Sequence, residues 1–178
     1  IAKKNGEKEI LIWSAACSSG EEAYTLAILL DDLYQREMIQ TKVRIVGTDI
    51  SDDILQQARA ATYNDYSIRN IPPQYLDKYF TKDPTTSKFF LTEQIKKYVS
   101  FERVNLVDMN EMNRFKGADV ILCRNVLIYF DNASKTKVVS KLYDNLKPNG
   151  YLLIGHSESL HGISKAFKLV HFNKSIAY

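Results

Sequence analysis

Ile10-Leu11-Ile12-Trp13-Ser14-Ala15-Ala16-Cys17-Ser18-Ser19-Gly20-Glu21-Glu22-Ala23-Tyr24 is the stretch on which the fold turns. A short apolar run ends in a turn of small residues, and beyond Gly20 the apolar spacing becomes helical. Ala23, Leu26, Ala27, Leu30, Leu33 and Tyr34 recur every three or four positions, which predicts a helix over 20–38 with one buried face. Outward from there, residues 43–48 read as a second buried strand with Asp49 at its C-terminal end. Ser51 can cap the next helix, with Asp52 and Asp53 in its first turn and Ile54, Leu55 and Ala58 facing inward. Two strand–helix units in succession predict a parallel sheet.

Residues 62–100 break this rhythm. They are rich in Tyr, carry Pro72-Pro73 and Pro84, and hold β-like pieces around Phe89-Phe90-Leu91, so they read as an insertion with its own small structure. Strand patterns resume at 99–104 and 118–123. A helix over 133–146 follows, capped by Asp131 or Asn132 and packed through Val138, Val139, Leu142 and Leu146. Lys147-Pro148-Asn149-Gly150 should end it, with Gly150 in the left-handed turn. A strand at 151–155 and an antiparallel pair from 167–170 and 175–178 close the chain. The expected fold is α/β, a doubly wound Rossmann-like sheet with a small β-subdomain inserted at about 62–100, the whole of 1–178 forming one domain.

The bulk composition is that of an ordinary folded domain, 45% hydrophobic and 25% charged. A net charge of +3 with both signs interspersed argues against a dedicated nucleic-acid binder. The apolar runs are too short to cross a bilayer and residues 1–9 hold no apolar export core, so the cytoplasm is the expected address. Cys17 and Cys123 have no metal-ligand spacing and read as reduced thiols.

In an open parallel sheet, ligands collect beyond the C-terminal strand ends, where strand order reverses. Four such ends carry polar residues here: 14–22, Thr48-Asp49, Asn105 and Cys123-Arg124-Asn125. The first turn has the place of a glycine-rich nucleotide loop without its letters, since Ala15 and Cys17 stand where glycines often lie. Glu21-Glu22 at a helix start would repel a pyrophosphate. A ligand with an ammonium and a sulfonium and no phosphate, S-adenosylmethionine, suits that end better. Ser19-x-x-Glu22 equally matches a capping box, and spacing alone leaves both readings open. Asp49 can accept both hydroxyls of a ribose, a feature that NAD and S-adenosylmethionine share; its structural rival is an acid at the helix start, a place Ser51 already fills. Cys123-Arg124-Asn125-Val126-Leu127-Ile128-Tyr129-Phe130 places a fixed cation and a phenol at the sheet's rim, unless Arg124 pairs with a structural acid. His156 lacks a nucleophile elbow and an orienting acid and reads as supporting or structural.

Together these segments resemble the chemotaxis receptor methyltransferases, the CheR family. The resemblance runs through Trp13 to Tyr24, Gly47-Thr48-Asp49-Ile50, Asn105-Leu106, the Cys123 to Asp131 string, and Gly150-Tyr151-Leu152-Leu153-Ile154-Gly155-His156-Ser157-Glu158-Ser159-Leu160. It implies the catalytic domain of a protein-glutamate methyltransferase, with S-adenosylmethionine as donor, no metal, and glutamates of a chemotaxis receptor's cytoplasmic domain as acceptors. Implied around the cofactor are Ala15, Ala16, Glu22, Asp49, Ile50, Asn105, Leu106, Cys123, Arg124 and Asn125. Glu22 would meet the methionine end, Asp49 the ribose, and Asn105 and Leu106 the adenine, while Arg124 and Tyr129 would stand by the reacting groups. Ala23 occupies a position where the family usually has Pro, and family members carry an N-terminal helical domain that these 178 residues do not include. In some members the β-subdomain grips a receptor C-terminal peptide through a glycine-containing loop. Thr81-Lys82-Asp83-Pro84-Thr85-Thr86-Ser87-Lys88 has no glycine, so no C-terminal pentapeptide tether is expected. The alternatives are a non-catalytic S-adenosylmethionine-binding signalling module and a methyltransferase with another substrate.

Overall fold

The computed structural model describes residues 9–173 and 175–178. Residues 1–8, read above for an export core, and Lys174 lie outside the described residues. In chain order the elements are β1 (Glu9–Ala15), α1 (Glu21–Gln35), β2 (Lys42–Asp49), α2 (Asp52–Ala60), β3 (Thr62–Tyr63), α3 (Asp65–Ile68) and α4 (Pro73–Tyr79). There follow β4 (Phe80–Lys82), β5 (Phe89–Leu91), α5 (Glu93–Lys96), β6 (Val99–Arg103), α6 (Met109–Met112), β7 (Ala118–Cys123), α7 (Asn132–Asn145), β8 (Leu146–Ile154), β9 (Val170–Phe172) and β10 (Ser175–Ala177).

The central sheet has the order β6-β2-β1-β7-β8 and all its pairs are parallel. The chain winds outward from β1 through β2 to β6, then returns to the other side of β1 for β7 and β8. Strand order therefore reverses between β1 and β7, and the polar strand ends face the crevice beyond that point. Both faces of the sheet are covered, which is why its strands read as continuous apolar runs. Trp13, Ile121, Val138, Val139, Leu142 and Leu152 fill one core, and Ala23, Ala27, Ile45, Tyr63, Tyr79 and Ile95 the other. Trp13 is fully buried; its indole N–H donates to the Thr48 hydroxyl at 2.9 Å and its ring stacks on Phe115 at 4.3 Å.

β3, β5 and β4 form a separate antiparallel sheet within the segment read as an insertion. β6 starts at Val99, which pairs with Ile45, so the last two positions of 62–100 belong to the central sheet. The segment that carries the small sheet is tied to α1, through the elements flanking that sheet, by Asp31, which is 2% exposed. The Asp31 carboxylate accepts from the Tyr79 hydroxyl at 2.7 Å, Gln94 Nε2 at 2.9 Å and the Tyr98 hydroxyl at 3.1 Å.

Several boundaries differ from the sequence reading, each for a local reason. α1 ends at Gln35, not Met38, because Glu37 turns left-handed (φ 55°). Met38 N–H then reaches the Leu33 carbonyl and Glu37 N–H the Tyr34 carbonyl, a Schellman closure without glycine. α7 stops at Asn145, and Leu146 opens β8 instead of completing the helix face. The left-handed residue after it is Asn149 (φ 63°), not Gly150. The C-terminal pair is β9 with β10; residues 167–169 stay outside it because Phe167 packs edge-on between Tyr143 and Tyr178. This pair is a sheet of its own, and Tyr178, just past β10, exchanges two backbone hydrogen bonds with Leu152 of β8 and so docks it beside the central sheet. Among the described residues, no helix is long and apolar enough to cross a membrane.

Candidate active site

The β1–α1 turn is built by three left-handed residues, Ala16 (φ 59°), Ser18 (φ 51°) and Gly20 (φ 89°). Two of them carry a side chain in a conformation that disfavours one, a strain found mostly where surrounding bonds impose it. Those bonds come from β2: Cys17 N–H donates to the Thr48 carbonyl at 2.8 Å and Ser18 N–H to Asp49 Oδ2 at 3.0 Å. At Gly20 a Cβ would lie 3.1 Å from both Ala58 Cβ and the Phe101 ring, so space and backbone angle both require glycine. The capping-box reading does not hold. Gly20 is the N-cap of α1 and makes no side-chain cap, while Ser19 Oγ donates to the Glu21 carboxylate. Glu22 is thereby left to face the crevice.

There Glu22 Oε1 accepts from Ser14 Oγ at 2.7 Å, and Oε2 pairs with Arg124 Nη1 at 3.0 Å. The acid that Arg124 was expected to find, if it had a structural partner, is thus itself a wall of the crevice. Asp49 is held from both sides, Oδ2 by Ser18 N–H and Oδ1 by Ser51 N–H at 3.2 Å. Each carboxylate oxygen has a second lone pair, so both can still accept from a ligand hydroxyl. Asn105 follows β6; its N–H donates to Glu111 Oε2 at 2.7 Å and its side-chain oxygen accepts from Val107 N–H at 3.1 Å. Beyond β7, Asn125 turns left-handed (φ 57°), and the 3₁₀ turn Leu127–Tyr129 leaves Tyr129 80% exposed at the mouth.

These ends enclose a cleft of about 750 Å³, a size typical of sites for compact organic ligands. Ala16, Glu22, Asp49, Ile50, Asn105, Leu106, Arg124, Asn125 and Tyr129 all line it, so the structure gathers nine sequence candidates at one place. Ala15 and Cys123 do not line it: both are buried at the strand ends beneath its floor, where the close-packed core holds them. Ser18, Thr25, Val104, Val126 and Phe130 line the cleft without being sequence candidates, and Ser14 bears on it only through Glu22; Ser14 and Ser18 stand in the quoted turn, and only their partners, Glu22 and Asp49, show their part. Burial first, and then the Asp49 charge, push the Cys17 thiol up to about 12, so it stays protonated at the cleft floor. The lining carries Glu21, Glu22 and Asp49 against one cation, Arg124, with Ile50, Val104, Leu106 and Val126 as apolar wall. That donor set suits a ligand with an ammonium, vicinal hydroxyls and a flat apolar base, and it offers no cluster of cations for a phosphate. S-adenosylmethionine fits it.

A Rossmann-like sheet with an acid-lined crevice at its switch point is the architecture of a nucleoside-cofactor protein, and comparison with known proteins narrows the class to methyltransferases. Residues 1–176 match the family described as "CheR methyltransferase, SAM binding domain", and the chain belongs to that family. It is 42% identical over 154 residues to the chemotaxis protein methyltransferase of Borreliella burgdorferi, covering 86% of this chain and 54% of that one. It is 38% identical over 169 residues to chemotaxis protein methyltransferase 2 of Vibrio cholerae, covering 95% and 58%. The chain thus spans a little over half the length of these relatives. In fold it is similar to PKMT2 from Rickettsia typhi in complex with AdoHcy, at a TM-score of 0.50 and 15% identity over 82% of this chain and 20% of that one.

Proposed function

We propose that this domain transfers a methyl group from S-adenosylmethionine to glutamate side chains on the cytoplasmic domain of a chemotaxis receptor, giving glutamate methyl esters. The observation that carries the reading is the convergence of Glu22, Asp49, Asn105, Arg124 and Tyr129 on one cleft at the strand-order reversal. S-adenosylmethionine, when bound, supplies a methyl carbon on a cationic sulfur; transfer to a carboxylate oxygen forms one C–O bond, breaks one C–S bond and leaves the electron pair on sulfur. Glu22 and Asp49 hold the ammonium and ribose ends, and Asn105 and Leu106 border the base. Arg124 orients a carboxylate, and the exposed Tyr129 hydroxyl steers the incoming acceptor from the mouth. No general base is called for, because a glutamate with a pKa of about 4.3 is already ionised at neutral pH. Alignment of oxygen, carbon and sulfur is the main task, and a rigid strand-end site performs it.

The test pairs calorimetry with a transfer assay. The chain should bind S-adenosylhomocysteine, and Asp49→Ala should weaken that binding by about 1.5–3 kcal/mol, the loss of charge-assisted hydrogen bonds. Radiolabelled cofactor with receptor-containing membranes should give base-labile methyl esters. Undiminished affinity in Asp49→Ala would remove Asp49 from the site. Binding without transfer would make the domain a sensing module.

A further inference from the structure

Glu158 does not line the cleft, yet its carboxylate joins two segments that are distant in sequence. Oε2 accepts from the backbone N–H of Asn125 at 2.8 Å and of Gly155 at 2.7 Å, and Oε1 accepts from Leu127 N–H at 2.9 Å. Gly155 belongs to the same arrangement. A Cβ there would lie 2.4 Å from Asn125 Oδ1 and 2.6 Å from Glu158 Oε2, so only glycine admits the approach. Flanking these bonds stand Arg124, paired with Glu22, and Tyr129 at the cleft mouth. Between them Asn125 holds a φ of 57°, a left-handed state that asparagine adopts more readily than other side-chain-bearing residues and that turns the chain at this point.

We propose that Glu158, with Gly155, is a positioning residue for methyl transfer: a latch that holds residues 124–129 in the backbone path presenting Arg124 and Tyr129 to the cleft. The inference rests on the function proposed above. A carboxylate suits the task because, ionised, it only accepts, whereas glutamine keeps one accepting oxygen and would set its NH2 against the backbone donor on the other side. The residues given the ends of the cofactor above, Glu22, Asp49, Asn105 and Leu106, follow β1, β2 and β6, and the three Glu158 bonds go to none of those segments. Loss of the latch should therefore slow turnover more than it weakens cofactor-product binding.

The test compares Glu158→Gln and Gly155→Ala with the unmutated chain. Amide exchange at Asn125 and Leu127 should rise about tenfold or more as the loop opens locally. Affinity for S-adenosylhomocysteine should stay within about threefold, while kcat on receptor membranes falls about a hundredfold, the scale of a misplacement of about 1 Å. Ile95→Val, in the core on the other face of the sheet, separates positioning from general destabilisation: it should lower Tm and leave kcat unchanged. Unchanged exchange in both latch variants, or an equal loss of kcat in Ile95→Val, would overturn the proposal. A wild-type chain that binds S-adenosylhomocysteine but transfers nothing would count against the proposed function instead, and the exchange data would still decide whether the latch exists.

Discussion

Glu22 stands where the electrostatics of the cleft converge, between the buried Ser14 hydroxyl and the Arg124 guanidinium. The Arg124 side chain is 44% exposed in this pair, so water screens the contact and its worth to stability is about 0–1 kcal/mol. Function and stability should then separate at these residues. Arg124→Ala and Tyr129→Phe are expected to shift Tm by no more than about 4 °C. Each should lower kcat/KM about tenfold or more, as a lost positioning contact does. Thermal melts alongside initial rates check this, and wild-type turnover in both variants would contradict the roles given to them.

Two elements carry predictions of their own. Asp131 caps α7, accepting from Ser134 N–H at 2.7 Å, and that bond holds its carboxyl below the ordinary value of 3.8. A depressed carboxyl stabilises the fold above its unfolded value and loses that contribution as pH falls through the folded one. Asp131→Asn keeps a capping oxygen and removes the charge. The Tm gap between wild type and variant should therefore be present at neutral pH and close as pH falls below 3.8; a gap constant with pH would contradict it. In the small sheet, the 83–88 loop closes on itself. Asp83 accepts from Thr85 N–H at 2.8 Å and Thr86 Oγ1 at 2.6 Å, while its own N–H donates to the Lys88 carbonyl at 2.8 Å. With those groups already paired, synthetic receptor C-terminal pentapeptides should show no saturable micromolar binding in NMR titration. Shifts mapping to Phe89, Phe90 or Leu91 would show that the sheet docks a tether.

At the scale of the molecule, Asp31 ties α1 to the segment that carries the small sheet. Burial and the Asp31 carboxylate raise the Tyr79 and Tyr98 hydroxyls above their ordinary values, with burial the larger cause, so both remain donors. Asp31→Ala would leave the buried Tyr79 hydroxyl and the half-buried Tyr98 hydroxyl without this acceptor. We expect a loss of about 3 kcal/mol in urea unfolding, against about 1 kcal/mol for Tyr98→Phe, which removes a single bond. Equal midpoints for Asp31→Ala and wild type would mean that the small sheet stands independently of α1.

Local signals in the sequence were enough for much of this. Alternation of buried strands with helical spacing determined a parallel, doubly wound sheet. Ser51 announced its cap, Asp49 its strand end, and the string from Cys123 to Phe130 a rim of unusual side chains, because capping and periodicity act over a few residues. What only the tertiary structure decided involves partners far along the chain. Glu22 meets Arg124 across 102 positions, and Asp31 meets Tyr98 across 67. Glu158 sits in a legible string with Gly155, yet its other two N–H partners, Asn125 and Leu127, appear only when β7 and β8 lie side by side. Ala15 and Cys123 fall beneath the cleft floor, not on its wall, because the side toward which a strand-end residue points is set by packing and register. A carboxylate's identity is written in the sequence; the donors that surround it are supplied by the folded chain.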